Sequence, residues 1–281
     1  MITSFGDRLL ATFAATGHLC VGIDPHPYLL DAWGLADSAE GVREFGLRVV
    51  DAAAGRVGIL KPQVAFFERH GSAGFAALEA VLASARTAGL LVIADAKRGD
   101  IGSTAAAYGD AWLRPGSPLE ADAMTISAFQ GVGSLDEPIA LARDAGKGLF
   151  VLAATSNPQS FALQTAVQNR GEYVGRSVSA SIVDEVNRSN YGQLGSLGVV
   201  IGATVRLADY GISGDDIGVA PVLAPGFGHQ GALYSSIPQI YGSAASNLVV
   251  SSSRAILDAG PHGVAAAIEA QVGELAAVYA G

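Results

Sequence analysis

The sequence contains one cysteine and three lysines among its 281 residues. A single cysteine, Cys20, excludes an intrachain disulfide framework and any metal site built on several cysteines. The five histidines do not follow a spacing typical of metal ligands, so we predict no bound metal. Acidic residues outnumber basic ones, 26 against 17, and the net charge of −9 argues against binding to a nucleic acid backbone. An anionic ligand would need a local pocket of positive charge.

Long uninterrupted apolar segments are also missing. The charge-free stretch from Ile217 to Ser253 is broken by Pro221, Pro225 and Pro238, so we expect no membrane span. The first residues, MITSFGDRLLATF, carry an acid early and lack a long apolar centre, so we expect no secretory signal. The resulting expectation is a cytoplasmic protein.

What the sequence does have is a regular alternation of short apolar runs with longer amphipathic or alanine-rich segments. The runs have the continuous apolar pattern of strands buried on both faces. The predicted strands are 19–24, 57–62, 90–95, 121–126, 148–154, 197–202, 219–226 and 247–253. The clearest predicted helices are 73–88, 133–145, 173–191 and 263–279. Eight strand–helix units favour an α/β protein with a closed (β/α)8 barrel over an open doubly wound sheet.

The chain shows no Pro/Ser-rich linker and no shift in composition. We therefore predict a single barrel domain over residues 1–281. The segment 155–196 is longer than a plain connection needs, so we expect an extra helical segment there, after strand five.

Polar residues follow several predicted strands at the point where each strand ends. Strand one ends at Asp24, strand two at Lys61, and strand three at Asp95 and Lys97. In a barrel of this kind the C-terminal ends of the strands meet at one rim, which carries the active site. The sequence therefore predicts a functional site at that rim.

The stretch ADAKRGDIG places Asp95, Lys97 and Asp100 within six positions. Side chains two residues apart on a strand point the same way, so Asp95 and Lys97 should both face the barrel mouth. Asp100 falls in the turn before a helix that we expect Ser103 or Thr104 to cap. Such a cluster is either a structural ion pair or a reaction centre. The scarcity of lysine favours a reaction centre, since two of the three lysines end strands.

The loop after strand seven, APGFGHQG, offers backbone N–H groups to an oxyanion, with Gly226, Gly228 and Gly231 permitting close approach. Taken alone, the loop is more typical of an ordinary glycine-rich turn. Arg254 follows strand eight directly, and the loops after strands seven and eight often bind phosphate in such barrels. The two features together predict a phosphate site, and Gln230 could bridge the two loops.

Two further polar residues allow a functional or a structural interpretation. Asp24, in GIDP, could bind a sugar hydroxyl, but an aspartate before Pro25 also forms turns. Ser156, in ATSNP, could bind the amide edge of a heterocycle or be an ordinary turn serine. Taken alone, each residue favours the turn.

Four features together resemble the orotidine 5′-phosphate decarboxylase family. They are the motif D-A-K-R-x-D-I-G at 95–102, the lysine that ends strand two, the P-G-x-x-x-Q-G loop at 225–231 and the arginine after strand eight. The resemblance runs from Asp24 to Arg254, and the long chain with its ATSNP stretch is similar to the bacterial subgroup with the larger barrel. The Asp–Lys–Asp cluster alone is shared with related sugar-phosphate decarboxylases. The cluster is more specific when it occurs in the right order with four further residues: Lys61, Ser156, Gln230 and Arg254.

The resemblance implies a decarboxylase that converts orotidine 5′-phosphate to UMP and CO2 without a cofactor, the last step of de novo UMP synthesis. The charged residues at the scissile bond would be Lys61, Asp95, Lys97 and Asp100, with Lys97 protonating the C6 carbanion that the site stabilises electrostatically. Asp100 and Thr104 would come from the neighbouring subunit of a homodimer.

The same resemblance implies contacts to the rest of the substrate. Asp24 would bind the ribose and Ser156 the pyrimidine. The phosphate end would be held by Gln230 and Arg254, with Pro225 and Ser253 as further substrate contacts. After strand four we expect an Asn-Pro-Tyr-like stretch and find TISAFQG, which leaves Ser127 and Phe129 without an assigned role.

Other functions remain open on the residues alone. A metal-dependent sugar-phosphate decarboxylase or lyase of the same barrel superfamily would hold a divalent cation with carboxylates at the rim. A non-catalytic nucleotide-phosphate-binding barrel would use the charged cluster only as structure. A Schiff-base aldolase is disfavoured, because adjacent carboxylates keep a lysine protonated and so not nucleophilic.

Overall fold

Eight parallel strands form a closed barrel in the computed structural model, which describes residues 2–228 and 231–280. The strands pair in chain order, and β8 closes on β1. They are β1 Leu19–Ile23, β2 Ile59–Pro62, β3 Leu91–Arg98, β4 Ala123–Ile126, β5 Gly148–Ala154, β6 Leu197–Ile201, β7 Val222–Pro225 and β8 Leu248–Ser252. Each of the eight predicted apolar runs overlaps one strand, and the predicted (β/α)8 barrel is confirmed.

Helices surround this barrel. They are α1 Phe5–Thr16, α2 Pro27–Ala32, α3 Ala39–Ala53, α4 Val64–Glu68, α5 Gly71–Thr87, α6 Gly102–Leu113, α7 Asp136–Asp144, α8 Phe161–Gln164, α9 Val178–Arg188, α10 Gly214–Ile217, α11 Ile237–Tyr241, α12 Arg254–Leu257 and α13 Gly260–Ala280. The hydroxyls of Ser4, Ser38 and Ser177 each accept a backbone N–H three residues on, and so begin α1, α3 and α9. None of the helices described has both the length and the apolar character that a membrane crossing needs.

The connection after β5 holds the extra helical segment that the sequence predicts. A 3-10 turn at Pro158–Ser160 leads into the short α8, and an isolated bridge joins Val167 to Ser177 before α9 begins. The helix predicted over 173–191 is therefore shorter at its start, because Ser177 caps α9 and the residues before it form a turn.

The barrel interior is filled at its N-terminal end. Side chains that point inward from the strands, such as Ile59, Ile93 and Phe150, form one core cluster with Phe5 and residues of α1. Phe5 meets Phe150 edge to face, with ring centroids 6.0 Å apart. A larger cluster fills the space between the barrel and the outer helices. The α1 plug closes the bottom of the barrel and leaves the rim at the C-terminal ends of the strands for a site.

The third lysine lies away from that rim. Lys147 precedes β5 at the bottom end and donates a 2.8 Å hydrogen bond to Glu120. Asp122 lies 3.9 Å from the same ammonium and also pairs with Arg8 of α1 at 2.5 Å. This network fastens α1 under the barrel, so Lys147 has a structural position.

Candidate active site

A cavity of about 470 Å³ opens at the C-terminal ends of the strands, where the sequence places its polar residues. Eight of the residues proposed from the sequence line it: Asp24, Lys61, Asp95, Lys97, Ser156, Pro225, Ser253 and Arg254. Their positions follow from strand periodicity. Ile59 and Ile93 point into the barrel core, so Lys61 and Asp95, two residues further on, point into the cavity above it.

The centre of the site is the carboxylate of Asp95. Asp95 is 7 % exposed, and its carboxylate accepts hydrogen bonds from four donors. Three of the donors lie on β2, β3 and β4, and the fourth lies on the residue after β2. Oδ1 accepts hydrogen bonds from Lys97 Nζ at 2.6 Å and from the Thr125 hydroxyl at 2.8 Å. Oδ2 accepts from Lys61 Nζ at 3.1 Å and from the Gln63 amide at 2.8 Å. The carboxylate therefore stands between two ammonium groups.

Burial by itself would raise the pKa of Asp95, because it penalises the charged form. Lys61 and Lys97 outweigh this effect, and together with the hydrogen bonds from Lys97 and Thr125 they hold the pKa of Asp95 well below its ordinary value. Burial would likewise lower the pKa of Lys61. Asp95 and Asp24 outweigh it and raise the pKa of Lys61 above its usual range. The pair is therefore ionised at neutral pH.

Asp24 follows β1 beside this pair. Its Oδ1 is 3.9 Å from Lys61 Nζ, and it is a buried oxygen without a hydrogen-bond partner in the described structure. A buried acceptor of this kind costs free energy unless something donates to it. It is therefore available to a ligand hydroxyl in the cavity.

Lys97 lies in an irregular part of β3. The pairing of β3 with β4 shifts register between Ala94 and Arg98. Lys97 has φ +48°, the only positive φ at a non-glycine position among the described residues. Its side chain is 46 % exposed, in contrast to the buried Lys61. The bulge thus directs this ammonium into the cavity while Asp95 holds it.

The opposite side of the cavity is formed by the loops after β7 and β8. Pro225, Gly226 and Phe227 line it together with Ser253 and Arg254. Gly226 has φ +115°, a conformation that a side chain would strain. Both loops predicted to bind phosphate therefore reach the cavity. The predicted contact Gln230 lies outside the described residues.

Gly22 of β1 allows the β8 loop to come close. A Cβ built at this glycine would lie 2.7 Å from the Cβ of Ser253, closer than two such atoms can approach. Ser253, and Arg254 next to it, can therefore lie where they do because residue 22 has no side chain.

The loop after β5 carries Ser156 to the cavity. Gln164 of α8 fixes this loop, since its amide oxygen accepts the Thr155 N–H at 2.9 Å and its amide nitrogen donates to the Thr155 hydroxyl at 3.0 Å. Gln164 and Asn157 also line the cavity. The extra segment after β5 therefore helps to build the site.

Two predicted site residues do not line the cavity of their own chain. The Asp100 carboxylate accepts the backbone N–H of Ile101 at 2.8 Å, and Thr104 is exposed on α6. The expected cap of α6 is wrong. Its N-cap is Ile101, and Ser103 and Thr104 lie in the first turn because the helix already begins at Gly102.

Phe129 is 76 % exposed beyond β4, and Ser127 donates its backbone N–H to Arg98 at 2.6 Å. Neither lines the cavity.

Sequence reasoning missed two partners of Asp95. Thr125 lies two residues after Ala123, which points into the barrel core, so the inward alternation of β4 could have identified it. Gln63 directly follows β2, and its only signal was its nearness to Lys61. In the part of the chain that is described, no three His, Cys, Asp or Glu side chains are grouped closely enough to hold a metal ion.

Comparison with known proteins identifies the family. The family described as orotidine 5′-phosphate decarboxylase / HUMPS matches residues 17–269. The chain belongs to this family. Orotidine 5′-phosphate decarboxylase of Streptomyces coelicolor is 50% identical over 260 residues, which cover 92% of this chain and 91% of that protein.

The chain is also similar to solved structures of the orotidine 5′-phosphate decarboxylase family. A Streptomyces avermitilis protein described provisionally as this enzyme has a TM-score of 0.93 and 45% identity, covering 99% of this chain and 97% of its own. Leishmania donovani OMP decarboxylase has a TM-score of 0.79 and 29% identity, covering 99% of this chain and all of its own.

Proposed function

We propose that this chain converts orotidine 5′-phosphate to UMP and CO2 without a cofactor, as the last step of de novo UMP synthesis. The observation that carries the proposal is the Lys61–Asp95–Lys97 chain of charges at the floor of a cavity, in a member of this family. A cytoplasmic location, expected from the sequence, is part of the same proposal.

The chemistry explains why such a site would suit the reaction. When the bond between C6 and the carboxylate breaks, its electron pair stays on C6 in the plane of the ring, where it cannot spread into the π system. CO2 leaves, and the negative charge must be stabilised electrostatically by groups already in place. The Lys97 ammonium meets this charge and then donates its proton to C6, after which Lys97 takes a proton from solvent.

The flanking residues hold the Lys97 ammonium in position. One oxygen of the Asp95 carboxylate accepts a hydrogen bond from the Lys97 ammonium, and the other oxygen accepts one from Lys61. Because the pKa of Asp95 is depressed mainly by these two lysines against the effect of burial, Asp95 stays an anion next to the substrate carboxylate. The resulting repulsion is relieved as CO2 departs.

Substrate contacts are distributed around the cavity. The unpartnered oxygen of Asp24 accepts a ribose hydroxyl, and Ser156 contacts the pyrimidine. Arg254 and Gln230 bind the phosphate, and Pro225 and Ser253 are further substrate contacts. Binding energy gathered at the phosphate, remote from C6, can be used to order the reacting groups.

We further propose a homodimer in which Asp100 and Thr104 complete the site of the neighbouring subunit. Two observations support it. Neither side chain lines its own cavity, and two apolar side chains on this side of the barrel are exposed. They are Ile101, beside Asp100 in the chain, at 60 %, and Phe129, in the loop after β4, at 76 %. A self-complementary face around Ile101 would cover these residues and carry Asp100 to the second site.

Absorbance at the pyrimidine band tests the activity directly. The purified protein should convert orotidine 5′-phosphate to UMP at an undiminished rate after exhaustive treatment with EDTA. Complete loss of activity in EDTA, restored by a divalent cation, would favour the metal-dependent lyase. Tight binding of UMP with no conversion of orotidine 5′-phosphate would favour the non-catalytic barrel.

Subunit mixing tests the shared site. Lys97→Ala and Asp100→Asn should each be nearly inactive. After mixing and exchange, a hybrid dimer has one site free of both changes, so activity should recover to about a quarter of the wild-type value when subunits pair at random. Absence of any recovery, with exchange confirmed by differently tagged subunits, would contradict the shared site.

A further inference from the structure

Thr125 of β4 makes two hydrogen bonds to the reacting pair without lining the cavity. Its hydroxyl accepts the backbone N–H of Lys97 at 2.9 Å and donates to Asp95 Oδ1 at 2.8 Å. The residue is 1 % exposed. Both contacts use the same oxygen atom, so the hydroxyl joins the main chain of Lys97 to the carboxylate of Asp95.

The backbone of Lys97 needs such a partner. A lysine at φ +48° is in the left-handed region, which is unfavourable for a residue with a side chain and persists only where the surroundings hold it. The register of β3 against β4 shifts at this point, and the Lys97 N–H donates to a side chain of β4, the Thr125 hydroxyl. The Thr125 hydroxyl therefore stabilises the backbone of Lys97 where the register shifts.

The other end of Lys97 depends on the same hydroxyl. Asp95 Oδ1 accepts both the Thr125 hydroxyl and Lys97 Nζ, the latter at 2.6 Å. The rotation of the Asp95 carboxylate, which decides where the ammonium lies, is thus fixed by Thr125 on one oxygen and by Gln63 and Lys61 on the other.

We propose that Thr125 is a positioning residue that fixes both the backbone and the ammonium of Lys97 for proton delivery to C6. This inference rests on the proposed decarboxylase function. A side chain that only stabilised the fold would change the melting temperature and leave turnover intact. A positioning residue changes kcat while substrate capture at the distant phosphate remains.

The test compares Thr125→Val, which keeps the shape but loses the hydroxyl, with Thr125→Ser, which keeps the hydroxyl. Ser196→Ala is the matched control. It removes a partly buried hydroxyl that accepts the Gly6 N–H at 3.1 Å before β6, at the other end of the barrel. Thr125→Ala replaces the valine variant if that protein does not fold. For each we measure kcat and KM for orotidine 5′-phosphate, the Kd of UMP, and the melting temperature.

We expect Thr125→Val to lower kcat about 10- to 100-fold, the range for losing a hydrogen bond to a charged group, with the Kd of UMP within about threefold. Thr125→Ser should recover most of kcat, and Ser196→Ala should lower the melting temperature alone. A kcat within about twofold of wild type for a folded hydroxyl-free variant would overturn the inference. An inactive wild-type enzyme would instead refute the proposed function itself.

Discussion

Replacing Asp95 by asparagine tests the electrostatic core of the site through stability. The substitution keeps the shape but removes the anion between Lys61 and Lys97. All four groups around Asp95 donate hydrogen bonds to its carboxylate. The new amide nitrogen is itself a donor, so it would face other donors and could not accept from them. Lys61 is 5 % exposed, and Asp24, at 3.9 Å, would be the one anion left beside it among the described residues.

Breaking a buried ion pair by removing one partner typically costs 3–5 kcal/mol. For a chain of this size, a loss of about 3 kcal/mol corresponds to a fall of about 6–12 °C in Tm. The matched control is Asp110→Asn, which removes the carboxylate of an exposed pair with Arg114 on α6. That change should cost at most about 1 kcal/mol.

The pH dependence gives a second signature. A carboxylate whose pKa is depressed in the folded protein, as the lysines depress that of Asp95, stabilises the fold at pH above its unfolded pKa of about 4. This contribution is lost as the pH falls through the lower, folded pKa. The stability difference between wild type and Asp95→Asn should therefore be constant from about pH 5 to 9 and shrink below about pH 4.

Denaturant unfolding monitored by circular dichroism, across that pH range, measures the difference. A loss of unfolding free energy in Asp95→Asn no larger than that in Asp110→Asn would refute the reasoning. The buried ion pairs would then contribute nothing net to the stability of the fold. The reasoning would also be refuted if the stability difference between wild type and Asp95→Asn did not change below pH 4.

Two other substitutions test the phosphate side. Arg254→Ala should lower kcat/KM about 10- to 100-fold, mainly through KM, because it removes a charge-assisted phosphate contact; unchanged kcat/KM would contradict that contact. Gly22→Ala should cost about 1–3 kcal/mol and raise KM, because the new methyl would lie 2.7 Å from Ser253 Cβ and must displace that loop. A Gly22→Ala enzyme with wild-type Tm and KM would show that the loop position is not set by this contact.

The sequence predicted the barrel because its strands are buried on both faces and so appear as separate apolar runs. It also predicted the meeting of Lys61, Asp95 and Lys97, since strand alternation and the common rim of a barrel suffice to bring them together. These are properties of single strands and can be found without knowing how neighbouring strands are staggered.

What the sequence did not predict depends on the relation between strands. Thr125 meets Asp95 because β4 is paired with β3 in one register, and the positive φ of Lys97 occurs where that register shifts. The start of α6 was mispredicted for a local reason. The glycine at 102 lets the helix begin before Ser103 and Thr104, so neither is in a position to cap it.

The most direct test of the account is the turnover of orotidine 5′-phosphate by Lys97→Ala, beside the wild type, with UMP affinity measured on both. We predict a fall in kcat of about a thousandfold or more, since the variant loses both the charge that meets the C6 carbanion and the proton that quenches it. UMP should bind both proteins with similar Kd. A folded Lys97→Ala enzyme that retains near wild-type kcat would contradict the account.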